Sequence, residues 1–155
     1  MTTDYSFYAE PVYPETLPAE PCESFSLTSD QIDTFHELGF VVGNGRISAD
    51  FLALLHRDLP ELLTSGHEGE ELWYEYHANE SKDADSVLFH ALGAWRLRSS
   101  FHDLIWHPAI VQPARQLLDQ GVRFWHDQLF CKPANHGGVV AWHQDYSYWT
   151  RTVPM

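Results

Sequence analysis

The sequence predicts an α+β fold in which helices come first and the strands of a sheet follow. Helices are expected near residues 29–38, 49–64 and 101–119, where apolar side chains recur every three or four positions. Paired strands are expected near 122–132 and 139–145, on either side of a turn that contains proline and glycine. The order of these elements favours helices packed against a sheet that starts but is not finished.

The first helix has signals at both ends. The run Thr28-Ser-Asp-Gln31 matches a capping box, with Thr28 as the N-cap and Gln31 reaching back to it. Gly39 stands where a glycine in the left-handed conformation commonly ends a helix. Residues 40–42 are then expected to form a short strand.

The other two helices are interrupted by proline. The second is expected to begin after Ser48, with a kink at Pro60, and the third has Pro108 in its first turn and Gly121 after its end. Between them, residues 65–86 are polar and irregular apart from a few aromatic side chains. This segment is expected to be a long loop or a partly formed element, and such a loop is either a lid over a binding site or a poorly ordered insertion.

Composition limits the possible partners. The chain has 22 acidic and 9 basic residues, a net charge of −13, which argues against nucleic acid and anionic membrane surfaces as partners. No apolar run approaches the roughly 20 residues that a membrane span needs. The N-terminus shows no signal peptide, and Cys22 and Cys131 do not form a disulfide framework, so a cytoplasmic location is expected.

Residues 1–26 differ in composition from the rest of the chain. They contain four prolines and several acidic residues, which predicts an extended or disordered tail. The folded domain is therefore expected to span residues 27–155.

One pair of residues near the end of the chain suggests a metal site. His143 and Asp145 are two positions apart in a predicted strand, so both side chains point to the same face. A histidine and a carboxylate of this kind make up two thirds of the 2-His-1-carboxylate triad that binds non-haem Fe(II). The same spacing is also expected of a histidine–aspartate hydrogen bond at the end of a strand, and the spacing alone leaves both interpretations open. His56 and Asp58 have the same spacing but lie in a predicted helix, where positions i and i+2 do not face each other.

The preceding predicted strand has a mixed face. Gln128 and Lys132 share that face with large aromatic residues, as expected either inside a barrel that holds a small anionic ligand or on an exposed edge strand. His126 lies on the same face, and it is either a further ligand or a packed, hydrogen-bonded residue.

Together these segments resemble the phytanoyl-CoA dioxygenase family. The resemblance rests on Asp-Gln-Leu-Phe-x-Lys-Pro at 127–133, Gly-Gly at 137–138, Trp-His-Gln-Asp-Tyr-x-Tyr-Trp at 142–149 and an amphipathic opening at 27–42. It implies a double-stranded β-helix (a jelly-roll or cupin-like fold) with N-terminal helices. It also implies hydroxylation of a small-molecule or acyl-type substrate, with Fe(II) as cofactor and 2-oxoglutarate and O2 as cosubstrates.

The resemblance also assigns roles to individual residues. His143 and Asp145 match the first two iron ligands of the family, and Gln128, Lys132 and Trp149 fall on positions that line the cosubstrate pocket. The distal histidine and the carboxylate-binding arginine of the family would lie downstream of Met155, where this sequence ends. The chain is therefore expected to be the N-terminal part of a dioxygenase domain, inactive alone.

Two alternatives to this interpretation remain open. The chain could be a non-enzymatic remnant that keeps only the packing motifs of the family. It could also be a different cupin-like metal-binding protein, in which His126 or His136 completes the site. The sequence does not predict the substrate's identity or the oligomeric state.

Overall fold

A computed structural model of the chain describes residues 2–12, 22–44, 46–119 and 121–145. Helices dominate, and they pack with a small antiparallel sheet in a mixed α+β arrangement. In chain order the α-helices and strands are α1 (Ser29–Leu38), α2 (Ala49–Leu62), β1 (Glu75–His77), β2 (Phe89–Leu92), α3 (Ala94–Leu97), α4 (Ser99–Leu104), α5 (Pro108–Leu118) and β3 (Leu129–Cys131). Short 3-10 turns occur at Tyr5–Phe7, Cys22–Phe25 and Glu70–Leu72.

The predicted ends of α1 are confirmed. The Thr28 hydroxyl accepts a hydrogen bond from the Gln31 amide at 3.3 Å, and the Gln31 side chain accepts one from the Thr28 amide at 2.9 Å. Gly39 has a φ of 79°, and its amide donates to the Phe35 carbonyl at 2.8 Å. The short strand predicted at 40–42 is wrong, because those residues have no regular secondary structure.

The second predicted helix is present and the third is divided. Helix α2 is capped by the Ser48 hydroxyl, which accepts from the Phe51 amide at 3.2 Å, and it continues past Pro60 to Leu62. Helix α5 begins at Pro108, whose ring cannot follow a preceding helical turn without a clash, so α4 and α5 are separate helices. Helix α5 ends at Leu118, and Asp119 after it takes the left-handed conformation, whereas Gly121 was expected to close the helix.

The strand pairing predicted from the sequence is wrong. Strand β2 lies between β1 and β3, and both pairings are antiparallel. Only Leu129–Cys131 is a strand within the predicted range 122–132, and residues 139–145 contain no strand. In place of a hairpin, the turn after β3 contacts the segment before β2, through a bridge between Val87 and Gly137.

The two faces of this sheet have different neighbours. On one face, Ala91 of β2 is fully buried, and its register partner Leu129 packs against the core formed by Leu62, Ala94 and Leu97. Burying side chains of this size contributes roughly 1.5–3 kcal/mol each to stability, which fixes the sheet against the helices. The opposite face carries the candidate site.

On that opposite face the rings of His77, His90 and Phe130 form one cross-strand row. His77 and His90 are register partners, as are His90 and Phe130. The ring centroids of His90 and Phe130 are 4.2 Å apart and nearly parallel, and those of His77 and His90 are 6.0 Å apart. Stacking of this kind stabilises the strand pairs from the side away from the core.

Residues 2–12, part of the segment expected to be an extended or disordered tail, contact the helices. Asp4 forms an ion pair with Arg96, and the Val12 amide donates to Asp103 at 2.8 Å. These contacts hold the N-terminal segment against α3 and α4. The prolines at 14, 18 and 21 lie outside the described residues. None of the described helices is both long enough and apolar enough to cross a membrane.

Candidate functional site

A cavity of about 860 Å³ opens beside the histidine-bearing face of the sheet. Four residues that the sequence singled out, Gln128, Lys132, His143 and Asp145, all line it. The wall also includes Glu75, Glu80, Leu88, His90, His126 and Phe130. Residues from three separate parts of the chain therefore meet at one opening.

Lys132 and Gln128 face the cavity because the backbone near β3 is extended. Side chains alternate along such a backbone, so positions 126, 128, 130 and 132 share a face, as predicted. Asp127 points the other way and accepts hydrogen bonds from the amides of Gly93 at 2.8 Å and Trp95 at 3.0 Å. Burial raises the pKa of Asp127, and these two amides oppose that rise.

His143 and Asp145 converge although they do not lie in a strand. The distance from His143 Nε2 to Asp145 Oδ1 is 2.9 Å, and the two side chains are 47% and 40% exposed. Two ligand atoms on adjacent metal bonds of about 2.1 Å lie about 3 Å apart, so this separation suits a shared cation. The same separation is that of a direct hydrogen bond between the two side chains, the alternative that the sequence spacing left open.

The His143 ring is oriented by its other nitrogen. Nδ1 donates to the Ala141 carbonyl at 2.7 Å. This bond raises the pKa of His143, and Asp145 raises it further, while slight desolvation lowers it. Nε2 donates a hydrogen bond to Asp145 when the ring is protonated, and once that proton is lost it could present a lone pair to a metal ion, with Nδ1 still held by the Ala141 carbonyl.

The segment that leads to His143 is held by the turn before it. The Val87 amide donates to the His136 carbonyl at 2.7 Å, and the Gly138 amide donates to the Val87 carbonyl at 2.8 Å. A β-carbon at Gly138 would lie 3.0 Å from the Leu88 β-carbon and 3.1 Å from that of Ser81. Only glycine allows this close approach without displacing a neighbour.

Sequence reasoning missed part of the cavity wall. Glu75 and Glu80 lie in or just after β1, within the segment 65–86 that was expected to be mostly a loop, and His90 lies in β2, where no element was predicted. Each of these strands is only three or four residues long, too short for a clear alternating pattern. One signal was available: Glu75 and His77 have the same two-residue spacing as His143 and Asp145.

The remaining candidates are placed as follows. His56 and Asp58 lie in α2, as predicted, and Asp58 is a buried acceptor for the Ser100 hydroxyl at 2.5 Å. His126 lines the cavity, and its Nδ1 lies 3.2 Å from the carbonyl oxygen of residue 127. Trp149 lies outside the described residues.

Comparison with known protein families gives one match. Residues 35–154 match the family described as phytanoyl-CoA dioxygenase (PhyH). The chain belongs to this family. Membership in the phytanoyl-CoA dioxygenase family implies the double-stranded β-helix fold, chemistry of the iron- and 2-oxoglutarate-dependent dioxygenase kind and a small-molecule substrate. A search of curated proteins found no match.

Proposed function

We propose that this chain binds Fe(II) through His143 and Asp145 and a dicarboxylate cosubstrate through Lys132 and Gln128, in a dioxygenase that hydroxylates a small-molecule or acyl-type substrate in the cytoplasm. One observation carries the proposal. All four side chains line the same cavity, and the two iron-binding atoms lie 2.9 Å apart. Family membership supports the kind of reaction, and the assignment of residues rests on the family resemblance and is supported by the cavity that they share.

The donor set of the pair fits Fe(II). One imidazole nitrogen and one carboxylate oxygen are two of the three ligands in the 2-His-1-carboxylate arrangement. Among the described residues, no third histidine, cysteine or carboxylate atom joins both His143 and Asp145 within 4.8 Å. Bound iron would provide the centre at which O2 is reduced with electrons from 2-oxoglutarate. With two side-chain ligands the chain is expected to hold that iron weakly.

The chain's own residues would perform the binding and positioning. The Lys132 ammonium group offers a positive charge to a carboxylate, and the Gln128 amide offers a directional hydrogen-bond donor. Phe130 and Leu88 contribute apolar wall that limits access of water. Trp149 is assigned to the same pocket by family resemblance alone.

Metal binding by matched variants tests the assignment. Mn(II) replaces Fe(II) without oxidation, and calorimetry at pH 7 should show weak binding that His143→Ala reduces about tenfold or more. His36→Ala is the control, because His36 is an exposed histidine on α1, outside the cavity. Mn(II) binding that survives His143→Ala but is lost in His126→Ala would favour the cupin-like alternative.

Succinate formation provides the second readout of the same experiment. The chain is incubated with Fe(II), ascorbate and 2-oxoglutarate, and we expect no succinate above a control without protein, because weakly held iron is seldom next to the cosubstrate. Succinate that disappears in Asp145→Ala would show that the chain is active and that two ligands are not the whole iron site.

A further inference from the structure

One histidine away from the candidate site is completely buried at a junction of three elements. His107 stands at the N-cap of α5 and has no exposed surface. Its ring is stacked on Phe51 of α2, with 5.3 Å between ring centroids, and meets Phe25 edge-on at 5.9 Å. Both phenylalanines are buried as well. The imidazole therefore joins the start of α5 to α2 and to the 3-10 turn that ends at Phe25.

The hydrogen bonds of this ring determine where its proton lies. Nδ1 accepts a hydrogen bond from the Ala109 amide at 3.1 Å, which caps the first turn of α5. A nitrogen that accepts in this way carries no proton, so the neutral ring has its proton on Nε2. Nε2 is buried and has no hydrogen-bond partner in the part of the chain that the structure describes. The site is thus built for the neutral ring with an unprotonated Nδ1.

A second proton on the His107 ring would disrupt this arrangement in two ways. It would occupy Nδ1, which could then no longer accept from the Ala109 amide. It would also place a positive charge in an apolar site, and burial accordingly lowers the pKa of His107. The attraction of a cation to the face of the Phe51 ring is weaker than the cost of burying that charge.

Charged side chains on the surrounding elements do not compensate for such a proton. Asp58 on α2 and Asp103 on α4 are buried, but they accept hydrogen bonds from Ser100 and from the Val12 amide, and His102 is paired with Asp103. The other charged or titratable side chains described on the 3-10 turn, α2 and α5 are exposed: Glu23, Asp50, His56, Arg57, Glu61 and Arg115. Burial is the sole cause of the lowered pKa of His107.

We propose that His107 is a pH-sensitive switch that holds the start of α5 in place only while its ring is neutral. When the ring gains a proton, it leaves its site and the first turn of α5 opens. The pKa of His107 is lower in the folded chain than the usual 6.5, so the contact is complete above about pH 7 and weakens as pH falls below 6.5.

The switch would act on a second cavity of the molecule. Helix α5 contributes Ile110, Val111 and Ala114 to the wall of an apolar cavity of about 650 Å³. Opening of the first turn would move this wall and expose apolar side chains to water. The inference depends on neither iron nor cosubstrate, so it stands or falls separately from the proposed function.

Amide hydrogen exchange of the 155-residue chain, followed by NMR at pH 5, 6 and 7, tests the switch. The amides of Ile110 and Val111 report on the first turn, because both donate to the His107 carbonyl. After correction for the intrinsic effect of pH on exchange, the opening constant of these amides should rise about fivefold or more from pH 6 to pH 5. One linked proton permits at most about tenfold per pH unit.

The variant His107→Asn keeps the cap and removes the titration. The asparagine side-chain oxygen can accept from the same amide but gains no proton between pH 5 and 7. Exchange at Ile110 should be faster than in the wild-type chain at pH 7, because the ring packing is lost, but the opening constant should then stay constant with pH. His36→Asn, at an exposed histidine on α1, should keep the wild-type pH dependence.

An NMR titration of the His107 ring completes the test and needs only the wild-type chain, so it decides the question even if His107→Asn does not fold. We expect the ring to titrate below pH 6.5, with its nitrogen shifts placing the proton on Nε2 at pH 7. A ring that titrates at pH 6.5 or above, or acid opening of α5 that is equal in His107→Asn and wild type, would overturn the proposal.

Discussion

Two histidine–aspartate pairs in this molecule have almost the same contact distance and opposite surroundings. His102 Nδ1 lies 3.0 Å from Asp103 Oδ1, and both side chains are fully buried. His143 Nε2 lies 2.9 Å from Asp145 Oδ1, and both side chains are 40% exposed or more. Distance alone therefore does not distinguish a structural pair from a candidate metal-binding pair.

The other partners of each pair make the distinction. In the buried pair, His102 Nε2 faces the Tyr8 carbonyl at 3.2 Å, and Asp103 also accepts from the Val12 amide. These bonds tie the N-terminal segment to α4. The exposed pair borders a cavity, and its histidine donates from Nδ1 to the Ala141 carbonyl. A polar pair enclosed by its own chain stabilises the fold, whereas one beside a cavity is open to a ligand.

The largest expected effect is on stability, from breaking the buried pair. Asp103→Ala leaves the His102 ring nitrogen and the Val12 amide without their acceptor inside the protein. Each unsatisfied buried group costs about 1–3 kcal/mol, so the free energy of unfolding should fall by about 3 kcal/mol. Urea denaturation measures the change.

The matched variant for that comparison is Asp145→Ala. Because Asp145 is exposed, its removal should change the free energy of unfolding by less than about 0.5 kcal/mol. Equal losses in the two variants would show that the exposed pair is also a structural element, and the contrast between the pairs would fail.

An effect of intermediate size on stability is expected from a substitution in the turn that joins the exposed pair to the sheet. Gly138→Ala places a β-carbon 3.0 Å from that of Leu88, and overpacking of this kind costs about 1–2 kcal/mol. Mn(II) binding should weaken as well, because the turn positions His143. Gly43→Ala is the control, since a β-carbon there meets nothing within 4 Å. Unchanged Mn(II) affinity in Gly138→Ala would show that the turn does not position His143 for metal binding.

The smallest expected effect is a pH dependence at a third, partly buried pair. Hydrogen bonding to Arg96 lowers the pKa of Asp4 from 3.8 to about 2. The carboxylate is thus favoured in the folded state, so its contribution to stability is complete above about pH 4 and is lost as pH falls toward 2. Asp4→Asn removes that contribution but keeps an oxygen for the Ser6 amide.

Unfolding at a series of pH values measures this contribution. The free energy of unfolding of the wild-type chain should exceed that of Asp4→Asn by about 1 kcal/mol at pH 5–7, and this difference should become smaller below pH 4. Glu61→Gln serves for comparison, because Glu61 is 65% exposed in its pair with Arg98. If the difference in unfolding free energy between wild type and Asp4→Asn stays constant down to pH 2.5, the lowered pKa of Asp4 is not its source.

Helix ends were predictable from the sequence because their signals are local. Thr28, Gly39 and Ser48 act on groups within four residues, so a short stretch of sequence contains the whole interaction. The division between α4 and α5 was missed although Pro108 was noticed, because the periodicity of apolar residues continues across the break.

Strand pairing was not predictable, because its partners are remote and the strands are short. Strand β3 pairs with β2, about 40 residues earlier in the chain, rather than with the segment that follows it. The shared face of Gln128 and Lys132 was still predicted correctly, because alternation needs only an extended backbone. Glu75, Glu80 and His90 were missed because the strands in or beside which they lie are short and pair with remote partners.

The contacts of the N-terminal segment bear on where this domain begins. The family is recognised from residue 35 onward, yet Asp4 and Val12 bind residues in α3 and α4, and both the amide and the carbonyl of Leu27 bond to the Gln116 side chain. A chain trimmed to the limits of the family match would lose the cover over His102 and Asp103 and let water reach them. A boundary drawn at residue 35 would therefore remove residues that form ion pairs and hydrogen bonds with α3, α4 and α5.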